Sequence, residues 1–270
     1  MRVGAVSYLN TKPLVYGLAE AAPQIDLVFD LPSRLADQLA RGELDVALIP
    51  SVESFQNPEY SIVSNACIGC RGPVLSVKLL SRVPASQIQT LALDEGSRTS
   101  AALTRILLDQ RYGLKPKLLP LPIDADWQQS PADAVLLIGD RAIHATHESL
   151  AEVWDLGDQW CRWSELPFVF AMWIARPGID TGDLATVLEN ARDRGLANLE
   201  QIAAVEGPLV GLSAERCLSY LRDNLYFYLG PRERRGLKLY YDHACQMGLA
   251  PRGLTFDVDP SSPAARSFEA

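Results

Sequence analysis

The stretch DEGSRTSAALTRILL, residues 94–108, has the composition of a loop that opens a helix beside a bound anion. Gly96 gives backbone freedom, and Ser97, Thr99 or Ser100 can cap the helix N-terminus. That terminus presents unpaired N–H groups and a positive dipole end, which suit a carboxylate. Arg98 can add a bidentate clamp, although a capping serine followed by a solvated arginine explains the same residues. The phosphate-loop pattern GxxxxGK[ST] is absent from the chain.

Further polar side chains follow other predicted strands and point to one shared cleft. They are Ser7, Tyr8, Asn10 and Thr11 near the N-terminus, then Ser51, Arg71, Ser76 and Asp140. A cleft lined by Ser, Thr, Asn and Arg favours a small carboxylated ligand. The chain has no G-x-S-x-G elbow, no G-x-G-x-x-G fingerprint and no histidine in these loops, which disfavours nucleophilic hydrolysis and dinucleotide chemistry. If the protein is an enzyme, its substrate must contribute much of the reactivity.

Metal binding is not indicated. Cys67 and Cys70 form a C-x-x-C pair, but a structural zinc site needs a second ligand pair, and none is visible. His144 and His147 lack the glutamate that a metalloprotease helix carries between its histidines. We expect the five cysteines to be small core residues, and their odd number suits a reducing compartment.

Composition limits the location and the partners. The chain has 270 residues, 48% of them hydrophobic, which is enough for one large domain or two lobes. A net charge of −8 disfavours nucleic acid, so an anionic ligand must be held by local groups. No stretch approaches the roughly 18 unbroken apolar residues of a membrane helix, and Met1 leads straight into a predicted strand. We therefore expect a cytoplasmic protein with a small-molecule substrate and no nucleic-acid or membrane partner; the oligomeric state stays open.

Hydrophobic periodicity predicts alternating strands and helices, followed by a helical segment. Predicted strands cover residues 3–7, 26–29, 44–50, 90–93, 117–119, 134–138 and 168–175. Predicted helices cover 12–21, 32–41, about 98–112, 182–205, 213–227 and 231–247. The run 44–50 is almost entirely apolar, which is typical of a parallel strand buried on both faces. These βαβ units predict an α/β fold.

Breaks near residues 81–84 and 176–178 favour an interleaved chain that builds one lobe, crosses to a second lobe and returns. Such a layout places a ligand cleft between the lobes, where the carboxyl ends of strands converge. A single doubly wound domain with a helical appendage fits the same pattern nearly as well.

Several ordered motifs resemble the chorismate dehydratases of the futalosine route to menaquinone. They are VGAVSYLNTKPL at the N-terminus, RGELDVALIPSVE at 41–53, GPVLSVKLLS at 72–81, DEGSRTSAALTRILL at 94–108, LIGDRAI at 137–143 and LPFVFAMWIAR at 166–176. The resemblance covers roughly residues 3–176, with weaker agreement through YLRDNLYFYLGPRERRGLKLYYDHACQMGL. The chain departs from the family pattern at Ser164-Glu165, where the family often has Thr-Gly. We expect Trp160 and Trp163 to be packing residues and not ligand contacts.

The resemblance implies a two-lobe fold like that of type-2 periplasmic binding proteins, with two hinge crossovers and a C-terminal helical segment. We expect residues 1–83 and 177–260 to form lobe one, 84–176 to form lobe two, and 261–270 to form a flexible tail. The implied reaction is the loss of water from chorismate to give 3-[(1-carboxyvinyl)oxy]benzoate, a hydro-lyase reaction without metal or organic cofactor. The alternatives are the dihydroxynaphthoate synthase of the same pathway, which usually opens with a different motif, and a non-catalytic carboxylate binder.

The matching positions suggest roles. Asn10 and Ser76 are assigned to the reacting centre, where an amide and a hydroxyl can orient the leaving group or stabilise developing charge. Ser97, Arg98, Thr99 and the helix N-terminus are expected to hold one carboxylate of chorismate, and Arg71 or another loop the second. Ser7, Tyr8, Thr11, Ser51, Ser100 and Asp140 complete the expected substrate site. Because no protein base is evident, we expect a substrate carboxylate or a bound water to accept the proton.

Overall fold

The structure, a computed structural model, describes residues 1–145 and 148–254. The strands are β1 (Arg2–Val6), β2 (Asp26–Asp30), β3 (Val46–Pro50), β4 (Ser61–Cys70), β5 (Val77–Ser81), β6 (Thr90–Asp94), β7 (Lys117–Leu121), β8 (Ala134–Ile138), β9 (Glu152–Asp155), β10 (Phe168–Ala175) and β11 (Tyr226–Tyr228). The helices are α1 (Leu18–Ala21), α2 (Pro32–Ala40), α3 (Arg98–Tyr112), α4 (Asp140–Ile143), α5 (Leu156–Ser164), α6 (Leu184–Ala197), α7 (Leu199–Leu209), α8 (Ala214–Ser219) and α9 (Pro231–Gln246). Within the described residues, no helix is both long and apolar enough to cross a membrane.

The strands of the described residues form two mixed sheets, one in each lobe. Sheet A has the order β11-β4-β10-β3-β1-β2, and sheet B has the order β7-β6-β8-β5-β9. In sheet A, β1, β2 and β3 pair in parallel, and β10 runs antiparallel between β3 and β4. In sheet B, β6, β7 and β8 pair in parallel, and β5 runs antiparallel between β8 and β9. Each of β10 and β5 is the first strand the chain forms after crossing into its lobe, so the predicted interleaved two-lobe α/β fold is confirmed.

The predicted positions of the crossovers need correction. We expected them near residues 83 and 176, but Val77–Ser81 pairs in sheet B and Phe168–Ala175 pairs in sheet A. The chain therefore crosses before these strands, between residues 70 and 77 and between 164 and 168. The breaker residues follow the antiparallel strands, and an isolated apolar strand carries no signal of the sheet with which it pairs. We propose lobe boundaries at these two connections. The expected tail at 261–270 lies outside the described residues.

The parallel strands and their helices form for the predicted reasons. All residues of β3, β8 and β10 are buried, because helices or the second lobe cover both faces of these strands. Pro32 lies in the first turn of α2, where its missing N–H costs nothing. At the start of α3, the Ser97 hydroxyl accepts a hydrogen bond from the Ser100 N–H, which is a standard N-cap.

The helical predictions differ in detail from the structure. The predicted helix 12–21 is a 3-10 helix at Leu9–Val15, followed after a left-handed Gly17 by the short α1. The predicted helix 182–205 is divided into α6 and α7, since Asn198 leaves helical backbone angles. The predicted helix 213–227 ends early: α8 widens into a π turn at Tyr220–Asn224, and the chain then enters β11. That edge strand of sheet A was not predicted.

Candidate active site

A cleft lies between the two lobes, and residues of both lobes line it. It is reached by the carboxyl ends of β1, β3, β6 and β8. The predicted site residues that line it are Tyr8, Asn10, Ser76, Ser97, Arg98, Thr99 and Ser100. Apolar residues, including Val74, Ile138 and Phe170, form much of the remaining wall. The structure therefore brings the reacting-centre candidates and the start of α3 to one cavity.

The first turn of α3 forms the anion-binding end of the cleft. The N–H groups of Arg98 and Thr99 belong to this turn, where no intrahelical partner is available. The carbonyl of Thr99 accepts a hydrogen bond of 3.0 Å from the buried Tyr240 hydroxyl, and the Thr99 hydroxyl accepts one of 3.3 Å from the Val52 N–H. These contacts attach the turn to lobe A, which is the lobe that contains sheet A. The N–H groups of the turn are thereby held toward the cavity.

The Arg98 side chain has partners in the opposite lobe. Its guanidinium donates to both carboxylate oxygens of Asp37, at 2.8 and 2.9 Å, and lies 3.2 Å from a carboxylate oxygen of Glu53. Burial raises the pKa of Glu53, and the nearby Arg98 charge opposes that shift. A substrate clamp by Arg98 stays a prediction. In this structure the guanidinium links lobe B, which is the lobe that contains sheet B, to lobe A.

Tyr8 closes the cleft against the other lobe. A side chain at Gly139 would meet three ring atoms of Tyr8 at 3.0 Å, and Gly139 has φ 65° and ψ −153°, a region that only glycine adopts readily. A Cβ at Gly96 would lie 3.2 Å from the Tyr8 hydroxyl oxygen. Burial, and next the nearby Asp94 carboxylate, raises the pKa of Tyr8, so its phenol is a neutral donor at ordinary pH.

Ser76 is held at the cleft by the connection between the lobes. The preceding Leu75 has φ 65°, an uncommon conformation for a leucine. The carboxylate of Asp155 accepts hydrogen bonds from the Val74 and Leu75 N–H groups, at 2.9 and 2.7 Å. It also caps α5 by accepting from the Asp158 N–H. Asp155 therefore fixes the strained backbone that directs Ser76 inward.

Asn10 approaches the cavity from the N-terminal 3-10 helix. Its side-chain oxygen accepts a hydrogen bond of 3.3 Å from the Thr11 hydroxyl, and its side chain lines the cleft. Thr11 itself is fully buried, so it supports Asn10 instead of lining the wall. Asn10 and Ser76 also lie near the hydroxyl of Tyr220; burial raises the pKa of that phenol, and these two neighbours partly offset the shift.

Asp140 lies behind the wall of the cleft. One of its carboxylate oxygens accepts a hydrogen bond of 3.3 Å from the Leu9 N–H, which is a contact between the two lobes. Burial raises the pKa of Asp140, and the charges of His144 and Lys12 partly offset that shift. The neighbouring Gly139 lines the cavity, so Asp140 is adjacent to the site without being part of its lining.

The remaining predicted residues are not in the cleft wall. Arg71 pairs at 2.9 Å with the buried Glu233 and stacks on the Tyr226 ring at the edge of sheet A, so it does not line the cleft and its carboxylate contact stays a prediction. Ser7 is exposed. Ser51 is buried, and its hydroxyl donates to the Val169 carbonyl at 2.8 Å. A strand end predicts the correct edge of the sheet, but it does not predict which side of the strand each residue faces.

Sequence reasoning missed Asp155 and Tyr220. Asp155 carried a weak signal, because an aspartate directly before a helix can cap it. No sequence signal distinguished Tyr220, because its segment has the pattern of an ordinary helix.

Cys67, Cys70 and Cys217 are buried, as expected of core residues, whereas Cys161 and Cys245 are half-buried. Trp160 is fully buried and packs against Phe168. No group of three or more His, Cys, Asp or Glu side chains within residues 1–145 and 148–254 is arranged to hold a metal; His147 lies outside these ranges.

Comparisons with known proteins point to one family. A family model described as menaquinone biosynthesis matches residues 1–246. A protein of Thermus thermophilus named chorismate dehydratase is 29% identical over 261 residues, which cover 88% of this chain and 93% of that protein.

Solved structures agree in fold. Protein AF1704 from Archaeoglobus fulgidus has a TM-score of 0.73 and 18% identity, over 92% of this chain and 97% of that one. The periplasmic aliphatic sulphonate binding protein SsuA from Escherichia coli has a TM-score of 0.64 and 18% identity, over 94% and 89%. At these identities the structural similarity shows the fold alone, and it confirms the predicted periplasmic-binding-protein-like architecture.

Proposed function

Because the chain belongs to the menaquinone biosynthesis family, we propose that it is a chorismate dehydratase, which converts chorismate to 3-[(1-carboxyvinyl)oxy]benzoate and water. The observation that carries the proposal is the family match over residues 1–246, joined to the 29% identity with a chorismate dehydratase. We further propose that the reaction belongs to the futalosine route, proceeds without a cofactor and takes place in the cytoplasm. The five cysteines, which are free in the structure, suit such a reducing compartment.

The charge distribution of the cleft suggests how chorismate is held. Chorismate carries two carboxylates, whereas the cleft offers the first turn of α3 and a single lining cation, Arg98, already paired with Asp37 and Glu53. One carboxylate is proposed to bind the N–H groups of Arg98 and Thr99. The second then lies among neutral and apolar groups. Removal from water raises the proton affinity of a carboxylate, so this second group is suited to act as a base.

The proposed reaction is a substrate-assisted elimination. The substrate carboxylate, or a water it holds, removes the proton from the ring carbon that bears the enol ether. The electron pair forms the new ring double bond, and the hydroxyl on the neighbouring carbon leaves, takes up the proton that was removed, and is released as water. Aromatisation of the ring supplies the driving force. Asn10 and Ser76 donate hydrogen bonds to the departing oxygen, because neither an amide nor a serine hydroxyl is basic at neutral pH.

Turnover of chorismate tests the proposal directly. Purified protein is incubated with chorismate, and the product is followed by its aromatic absorbance and by a mass lower by one water. We expect turnover by wild-type protein. Bound but unchanged chorismate would indicate a non-catalytic binder, and no binding at all would remove chorismate as the ligand.

The Asn10→Ala variant tests the reacting centre. We expect kcat to fall by about 10²-fold to 10³-fold with KM nearly unchanged, as for the loss of a donor that stabilises transition-state charge. A change confined to KM would show that Asn10 only holds substrate. The Asp140→Asn variant tests the base: it should keep most of its activity, and complete inactivity with intact binding would assign the proton transfer to Asp140.

A further inference from the structure

Tyr220 presents a hydroxyl group that the packing of the protein does not explain. The side chain is only 1% exposed, and among the described residues its oxygen has no partner at full hydrogen-bond geometry. A buried hydroxyl without a partner costs folding free energy, and most buried polar groups in proteins avoid that state. Tyr220 also begins the π turn Tyr220–Asn224, a helical irregularity that is frequent at functional sites.

The π turn is fixed against the connection that carries Ser76. The side-chain amide of Asn224 donates a hydrogen bond of 3.0 Å to the Pro73 carbonyl, three residues before Ser76. Burial raises the pKa of Tyr220, and the Ser76 hydroxyl and the Asn10 amide, which lie near its oxygen without a full hydrogen bond, partly offset that shift. The phenol is therefore protonated at neutral pH and has a proton to donate toward these two side chains.

We propose that Tyr220 is a positioning residue for the dehydration: its hydroxyl donates a hydrogen bond to Ser76 or Asn10 and orients both groups toward the leaving oxygen. The inference rests on the proposed function. In this structure the Ser76 hydroxyl donates to the Val74 carbonyl at a long 3.4 Å. A donor behind Ser76 holds the serine oxygen while its proton turns from that carbonyl to the substrate, and hydrogen bonds in such a chain strengthen one another.

Two other tyrosines, Tyr240 and Tyr241, have hydroxyl groups with a structural role. The hydroxyl of Tyr240 donates to the Thr99 carbonyl at 3.0 Å, and that of Tyr241 donates to the Pro251 carbonyl at 2.9 Å. Each of these hydroxyls contributes to stability through its partner. Phenylalanine at position 220 would preserve the ring packing and remove a polar atom that lacks a complete bond, so loss of the Tyr220 hydroxyl should not lower stability.

The Tyr220→Phe variant separates the two roles. We expect kcat for chorismate to fall about tenfold, the equivalent of one lost hydrogen bond, with KM within about twofold of wild type. The melting temperature should be equal or higher. If Tyr220 acts through Ser76, the double variant Tyr220→Phe with Ser76→Ala should lose no more activity than Ser76→Ala alone.

The matched control is Tyr241→Phe, which should lower the melting temperature and leave both kinetic constants unchanged. Wild-type kcat in Tyr220→Phe would overturn the inference, as would activity losses that multiply in the double variant. A fall in melting temperature that matches the fall in activity would also contradict it. Wild-type protein is assayed in parallel so that the two proposals can be distinguished. If wild-type protein does not turn over chorismate, the proposed function fails together with the role of Tyr220. If both wild type and the Tyr220→Phe variant are fully active, only the role of Tyr220 is refuted.

Discussion

Ser76 directly follows a residue whose backbone lies in the left-handed region. Leu75 has φ 65°, and such a conformation costs a leucine about 1–2 kcal/mol unless its surroundings enforce it. Here the enforcing group is the Asp155 carboxylate, which accepts from the N–H groups of Val74 and Leu75. The position of the Ser76 hydroxyl thus depends on an acid that lines no part of the cleft.

We predict that Asp155→Asn destabilises the protein by about 2 kcal/mol, because a charged acceptor of several backbone hydrogen bonds is replaced by an amide with one acceptor oxygen. We also expect kcat to fall by roughly 10-fold to 100-fold as Ser76 loses its position. Urea unfolding and chorismate kinetics measure the two effects. Asp158→Asn, on the same helix but paired only with the exposed Arg162, should cost about 0.5 kcal/mol and spare activity. Equal effects of the two variants would contradict the assignment.

The raised pKa of Asp140 predicts a pH-dependent stability. A carboxyl group whose folded pKa lies above its unfolded value binds its proton more tightly in the folded protein, so stability falls as pH rises through the interval between the two values. Asparagine at position 140 keeps an oxygen for the Leu9 N–H and carries no charge. The melting temperature of Asp140→Asn should therefore exceed that of wild type at pH 8 by more than at about pH 3.5, just below the usual pKa of an aspartic acid. A difference independent of pH would show that the buried charge is not the cause.

Among the elements, the turn after α5 carries a strained residue. Glu165 ends the helix with φ 58°, its side chain is exposed, and its N–H donates to the Cys161 carbonyl. Glycine adopts this conformation without a steric cost, although it also gains entropy in the unfolded chain. We predict that Glu165→Gly stabilises the protein by about 0.5–1 kcal/mol, measured by urea unfolding. Glu165→Ala keeps the Cβ and should change stability by less than about 0.5 kcal/mol; an equal gain would exclude relief of strain.

The sequence predicted regular elements better than irregular ones. The strands 134–138 and 168–175 agree with the structure to the residue, because long apolar runs between breakers have one interpretation. The N-terminal helix was misplaced, since Pro13 and Gly17 favour a 3-10 helix and a left-handed turn over a continuous α-helix. The π turn at Tyr220 had no sequence signal, because its residues suit an ordinary helix. Tyr220, which sequence reasoning missed, lies at this irregular position.

At the scale of the whole molecule, strand order could not be derived from the sequence. Sheet membership of β5 and β10 depends on pairing between distant segments, and their composition suits either lobe. The same limit applies to Arg98, whose type and position indicated an anion clamp. Its actual partners, Asp37 and Glu53, come from segments that only the assembled lobes bring near it. Contacts across the cleft therefore determine which predicted groups remain available to a ligand.

The pair between Arg98 and Asp37 predicts how lobe contact affects binding. Asp37→Asn removes one carboxylate from this bridge while Glu53 keeps Arg98 in place. The two side chains of the pair are 36% and 45% exposed, so the loss should amount to about 0.2–1 kcal/mol. If the lobes must meet to bind chorismate, KM should rise by up to about fivefold with kcat nearly unchanged, and the radius of gyration from solution scattering should increase.

Asp26→Asn is the matched control. Asp26 pairs with Arg2 across two neighbouring strands of sheet A, so this variant removes the same charge from an ion pair that lies within one lobe. It should alter neither KM nor the radius of gyration. Salt screens a half-exposed pair, so the difference in KM between wild type and Asp37→Asn should shrink at high ionic strength. Identical KM values for the two variants would show that the bridge between the lobes does not contribute to binding, and the carboxylate site would then depend on the backbone of α3 alone.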